Sequence, residues 1–126
     1  MAGKEGARVW LIPDAYLGSA NMGGEPCSHE AVCILNTGDE PARVSFTFYF
    51  ADREPVGPFV ITVGPRRCDH IRTDRPERFG GFAIPRDTPY GIRLESDIPV
   101  CVQYSRLDVV TQPAYTLMTT IPYSLS

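Results

Sequence analysis

Six side chains carry a group able to bind or stack beside an otherwise apolar strand pattern: Trp10, His29, Glu30, Arg67, His70 and Arg106. His29 and Glu30 open the apolar run Ala31–Leu35. An imidazole and a carboxylate at a strand end can rim a pocket or satisfy loop backbone groups. Successive strand residues point to opposite faces, so the two share a pocket only at a bulge or a strand end. Over Arg66–Arg72 the same alternation puts Arg66, Cys68, His70 and Arg72 on one face and Arg67, Asp69 and Ile71 on the other. A face with a histidine and two arginines suits a carboxylate, a phosphate or a neighbouring subunit's acid. It serves equally as a charged edge that discourages sheet-to-sheet pairing. Arg106 continues the apolar face of Val100, Val102 and Tyr104, as a buried ion pair or a ligand clamp. Trp10, the single tryptophan, reads either as a core aromatic or as a stacking wall. Taken as ligand-binding residues, the six are expected to gather from strand ends into one site at a subunit boundary.

Catalytic chemistry finds no such support. The two histidines form no HxH or HExxH pair, and the chain has no GxSxG, phosphate-binding P-loop or GxGxxG motif. No catalytic residue, metal ligand or cofactor is therefore assigned, and the chain is expected not to be an enzyme. Cys27, Cys33, Cys68 and Cys101 form no CxxC pair and follow no export-type leader, so free thiols are expected. Cys33 and Cys101 lie inside apolar runs and read as core or interface filler. A metal-dependent β-barrel enzyme is the function class that bound metal would reveal, but the ligand spacings of a zinc site are missing.

Whatever site exists must be positioned by strands. Twelve prolines and 11 glycines in 126 residues interrupt the chain too often for ordinary helices. Val44, Phe46, Phe48 and Phe50 alternate with polar residues, the period of a half-buried strand. The turn-rich Thr37–Glu40 predicts that Glu30–Asn36 and Ala42–Ala51 pair as a hairpin. Further strands are predicted over Arg8–Ile12, Phe59–Val63, Arg66–Arg72, Gly91–Glu95, Val100–Arg106 and Tyr115–Ile121, with a polar loop over Thr73–Gly81. About eight short strands without a helical pattern predict an all-β fold, an antiparallel β-sandwich with a jelly-roll-like barrel character. The length fits one domain, 1–126, with residues 1–7 expected as a flexible lead.

Charge and hydropathy narrow the partners. A formal net charge of -3 gives no global field toward nucleic acid, so no nucleic-acid partner is expected. No apolar run approaches the roughly 20 residues of a bilayer-spanning helix, which points to a soluble cytoplasmic protein. Ala31–Leu35 is apolar on both faces, as is Ile98–Val102 apart from Pro99, and Tyr115–Tyr123 is nearly so, whereas a two-layer sandwich leaves one face of each sheet to solvent. The economical cover is another copy of the chain, which predicts a homo-oligomer; the alternative cover is the chain's own long loops.

Four ordered segments carry a family resemblance. Ser28–Glu40 (SHEAVCILNTGDE), Phe48–Pro58 (FYFADREPVGP), Pro65–Arg72 (PRRCDHIR) and Val102–Asp108 (VQYSRLD) are similar to the sensory rhodopsin transducer family, across about Val9 to Tyr123. The resemblance implies a small all-β cytoplasmic protein that assembles as a homotetramer. It implies one of two roles: soluble partner of a membrane sensory rhodopsin, or a module that binds a small, sugar-like molecule. The residues and the resemblance together point first to non-enzymatic small-molecule binding, with the rhodopsin transducer as the alternative.

Overall fold

The computed structural model describes residues 5–20, 24, 27–111 and 114–126. Its strands are β1 (Ala7–Tyr16), β2 (His29–Asn36), β3 (Ala42–Tyr49), β4 (Val56–Val63), β5 (Arg67–Arg72), β6 (Pro89–Thr111), β7 (Ala114–Thr120) and β8 (Tyr123–Leu125). The described helical structure is a single 3₁₀ turn, Pro76–Phe79. Every strand pair is antiparallel. One layer runs β4-β3-β6-β1-β8, and the other is built by β2, which pairs with β5 and β6, and by β7, which pairs with β6.

The 23-residue β6 joins the layers. Its first part pairs with β3 through Ser96 and with β1 through Val100, and its second part, from Cys101, pairs with β2 and β7. The sequence reads this span as two strands, Gly91–Glu95 and Val100–Arg106. The intervening Asp97-Ile98-Pro99 turns the strand from one layer to the other without ending it.

The alternation sorts the side chains. Val44, Phe46 and Phe48 of β3, Trp10 and Ile12 of β1, and Ile92 and Leu94 of β6 meet Val32 and Ile34 of β2, Ile71 of β5, and Val102 and Tyr104 of β6 in one buried core. Each large side chain buried this way contributes roughly 1.5–3 kcal/mol. Phe79 completes the packing, its ring centroid 5.1 Å from Phe48 and 5.6 Å from Phe46. The polar loop expected over Thr73–Gly81 thus delivers a fully buried aromatic, because Pro76 starts a 3₁₀ turn that carries Phe79 inward.

Two further expectations are corrected. β2 and β3 do not form a hairpin: β2 pairs with β5 and β6, whereas β3 pairs with β4 and β6. The cause is Asn36, fully buried, whose carboxamide donates to the carbonyls of Glu40 (2.8 Å), Gly64 (3.0 Å) and Val63 (3.2 Å). Its Oδ1 accepts from the Gly38 amide at 3.0 Å, so the segment that looks like a hairpin turn is a corner between layers. Within the lead expected over residues 1–7, Ala7 already opens β1 opposite Val100, while residues 1–4 lie outside the described residues. Gly6 permits the approach: its φ is +96°, and a Cβ there would lie 2.2 Å from the Val100 carbonyl oxygen. β8, which the sequence reading omits, pairs with β1 through Val9–Leu11.

Candidate functional site

The end of the sandwich where β1 leaves and β6 arrives forms a polar cleft of ≈ 500 Å³. Asp14 and Tyr16 come from β1, Asp87 from the loop before β6, and Arg106 and Asp108 from the far part of β6. Arg106 stands on the inward face after Val100, Val102 and Tyr104, as the alternation predicts, and its side chain is only 15% exposed. Its Nε lies 3.3 Å from Asp108 Oδ2 and its Nη1 3.7 Å from Asp14 Oδ1. These are ion pairs without hydrogen-bond geometry, so both nitrogens are buried donors with no hydrogen-bond partner. Asp87 is committed to its loop: Oδ1 accepts from the Ser19 amide at 2.9 Å and from the Tyr16 hydroxyl at 3.3 Å. Ser28 Oγ accepts from the Val109 amide at 2.9 Å.

Beneath the cleft, Glu30 is wholly buried and directly opposite Arg106 in the β2–β6 register. Its carboxylate accepts from the Tyr16 amide (2.8 Å), the Thr73 hydroxyl (2.8 Å) and the hydroxyls of Tyr90 and Tyr104. A buried acid with four donors is a satisfied structural group that ties both parts of β6 to β1 and to the end of β5. Burial first, and then the Glu30 charge, push the Tyr90 and Tyr104 hydroxyls well above the ordinary tyrosine range. Both therefore remain donors to Glu30 at neutral pH.

A second concavity, a groove of ≈ 520 Å³, lies on the outer face of the layer containing β2 and β5. Trp10, Cys33, Leu35, Cys68, His70 and Cys101 are among its lining residues. The six residues expected to form one site are thus distributed. Arg106 lines the cleft, Glu30 is sealed beneath it, and His70 and one edge of Trp10 reach the groove. Trp10 is otherwise a core residue, its Nε1 donating to the Ala7 and Val100 carbonyls at 3.1 Å each. His29 Nδ1 lies 2.9 Å from the Cys27 carbonyl, and the exposed Arg67 donates to the Arg66 carbonyl at 3.0 Å. They share no cavity because their strands belong to different faces and ends of the sandwich. Cys33 and Cys101, expected as interior or interface filler, face outward into the groove and are half-buried.

The sequence reading missed Asp14, Tyr16, Ser28 and Asp87. Asp14 and Tyr16 lie beyond the predicted end of the first strand, and Asp87 sits in a loop that periodicity leaves blank. Tyr104 and Tyr90 as partners of Glu30 were equally hidden, since the pairing runs through tertiary contacts. Chemically, the cleft offers a guanidinium, carboxylates and hydroxyls, which suits hydrogen-bonded binding. Among the described residues no group of three His, Cys, Asp or Glu forms a ready metal cluster.

Among the described residues no helix is long and apolar enough to cross a membrane. No curated protein matches the chain. Among solved structures it is similar to Thermotoga maritima 1070, with 43% identity and a TM-score of 0.84 over 96% of this chain and 97% of that one. It is also similar to the Anabaena sensory rhodopsin transducer, with 37% identity and a TM-score of 0.66 over 79% of this chain and 95% of that one. The profile of the Anabaena sensory rhodopsin transducer family matches residues 5–124, so nearly all of the sandwich just described falls within it. The chain belongs to the sensory rhodopsin transducer family.

Proposed function

We propose that this chain is a non-enzymatic, cytoplasmic signalling module that acts as a homotetramer and as soluble partner of a membrane sensory rhodopsin. The observation that carries the reading is its 37% identity to the Anabaena sensory rhodopsin transducer across 95% of that protein. Assembly is supported by the outward apolar side chains, with Leu35, Leu117 and Ile121 respectively 46, 74 and 75% exposed in the single chain. A stable association typically buries about 1,600 Å² in total, which a sheet face of this kind can supply. Light scattering tests the assembly, and a particle of 13.9 kDa would overturn it. Binding to a microbial sensory rhodopsin in nanodiscs, in the dark and under illumination, tests the partner. Saturable binding that changes with light supports the reading, and absence of binding in both states overturns it.

A second reading is carried by Arg106. A half-buried guanidinium with two unsatisfied donors at the floor of a polar cleft favours binding of a small, hydroxyl-rich, sugar-like molecule there. Of the six residues first singled out, Arg106 is the one this reading retains as a ligand contact. A thermal-shift screen of sugars, phosphates and organic acids tests it, since a ligand at about 100 times its Kd adds about 2.7 kcal/mol of stability. Arg106→Ala is expected to weaken a ligand found this way by about 1–3 kcal/mol while leaving the oligomer intact. Unchanged affinity in that variant overturns the assignment.

A further inference from the structure

Three of the four cysteines and one of the two histidines, far apart in sequence, line the same groove. The strand register explains the gathering. Cys33 of β2 lies directly across from His70 of β5, and Leu35, the next outward residue, lies between Cys68 on β5 and Cys101 on β6. Directly opposed residues in an antiparallel pair hold their Cβ atoms about 4.5–5.5 Å apart. That spacing leaves room for one ion between a sulfur and a nitrogen, on the scale set by zinc's bonds of about 2.3 Å to thiolate and about 2.0 Å to imidazole. The nearest carboxylate in sequence, Asp69, is held by Arg78 at 2.6 Å, which leaves thiols and an imidazole as the donors. Thiol and imidazole donors select soft ions, and the apolar walls, Leu35 and Ile121 among them, disfavour an ion that keeps a water shell.

No three of these donors already stand together as a metal cluster among the described residues, which argues against the closed four-donor arrangement of structural zinc. We propose that the groove binds a soft monovalent cation of the copper(I) or silver(I) class between the Cys33 thiolate and the His70 imidazole, with Cys68 one diagonal step away. Binding breaks the Cys33 S–H bond, forms the metal–sulfur bond and releases the proton to solvent, with no change of oxidation state. The donors all come from one chain, so the site needs no residue of a rhodopsin partner or of a second copy.

The test is anaerobic titration of the full chain with copper(I) against a chromophoric copper(I) chelator, with native mass spectrometry for stoichiometry. The expected result is one ion per chain that survives desalting, with affinity at least tenfold lower in both Cys33→Ser and His70→Ala. Cys27→Ser, which removes the thiol outside the groove, is expected to bind as the parent does. No uptake, unchanged affinity in Cys33→Ser, or an equal loss in Cys27→Ser would leave adventitious thiol binding only and overturn the proposal. Should Cys33→Ser fail to fold, His70→Ala, at an exposed position, decides alone, and unchanged affinity there overturns the site. Light scattering on the same samples reports the assembly separately.

Discussion

At the scale of single residues, Glu30 and its four donors dominate. Each hydroxyl and amide around it is oriented to give a proton, so Glu30→Gln replaces an oxygen that accepts two hydrogen bonds with an NH2 group that faces two donors. Urea unfolding should show a loss of about 2–4 kcal/mol, the scale of a broken buried network. The two tyrosines give a pH signature. Their folded-state pKa values lie above the unfolded value near 10, so their contribution is complete below about pH 10 and is lost as the pH rises beyond it. Stability measured at intervals above pH 10 should therefore fall more steeply in the parent than in Tyr104→Phe. Equal slopes would show that Tyr104 does not carry the effect. The sequence marked Glu30 as chemically interesting because it opens an apolar strand. It could not reveal that the polar tips of Tyr90 and Tyr104, on what pattern alone reads as core positions, turn that carboxylate into a structural tie.

At the scale of elements, the corner between β2 and β3 and the aromatic plug behind β3 decide whether the layers close. Asn36→Ala removes three donated hydrogen bonds, the one to the Val63 carbonyl buried and those to Glu40 and Gly64 part-buried, for an expected cost of about 2–4 kcal/mol in the same unfolding experiment. Phe79→Ala opens a cavity between Phe46, Phe48 and Phe59 and should cost about 3–5 kcal/mol. A cost below 1 kcal/mol at Phe79 would show that the 3₁₀ turn is peripheral. The existence of most strands was legible, since alternation over Val44–Phe48 and the apolar runs need only local sequence. Which strands pair was not. Pairing depends on Asn36 reaching the β4–β5 turn, a contact between residues 27 and 28 positions apart.

At the scale of the whole molecule, the outer face of the β5–β2–β6–β7 layer joins exposed leucine and isoleucine side chains to the thiol groove. Leu35→Glu places a charge at the centre of that face, and light scattering should show a smaller particle than the parent if this face is the assembly surface. Thiol labelling without denaturant provides an independent reading. Cys68 is exposed and should react first, whereas Cys33 and Cys101 should label slowly in the assembly and faster in Leu35→Glu. Identical labelling rates in the two proteins would place the assembly surface elsewhere. All four cysteines are unpaired in the structure.

The all-β class, the approximate strand count, the lack of ordinary helices among the described residues and the family were determined by the sequence, because each rests on local periodicity or on ordered motifs. The alternation also placed Arg106 on an inward face. Only the tertiary structure decided that β6 crosses both layers, that Glu30 is sealed, and that Arg106 meets Asp14 and Asp108 in a cleft. It alone also decided that Cys33, Cys68, His70 and Cys101 share a groove. The physical reason is that a strand's period fixes which face a side chain takes, whereas register and layer crossing fix its neighbours. Those are set by buried contacts between residues distant in the chain.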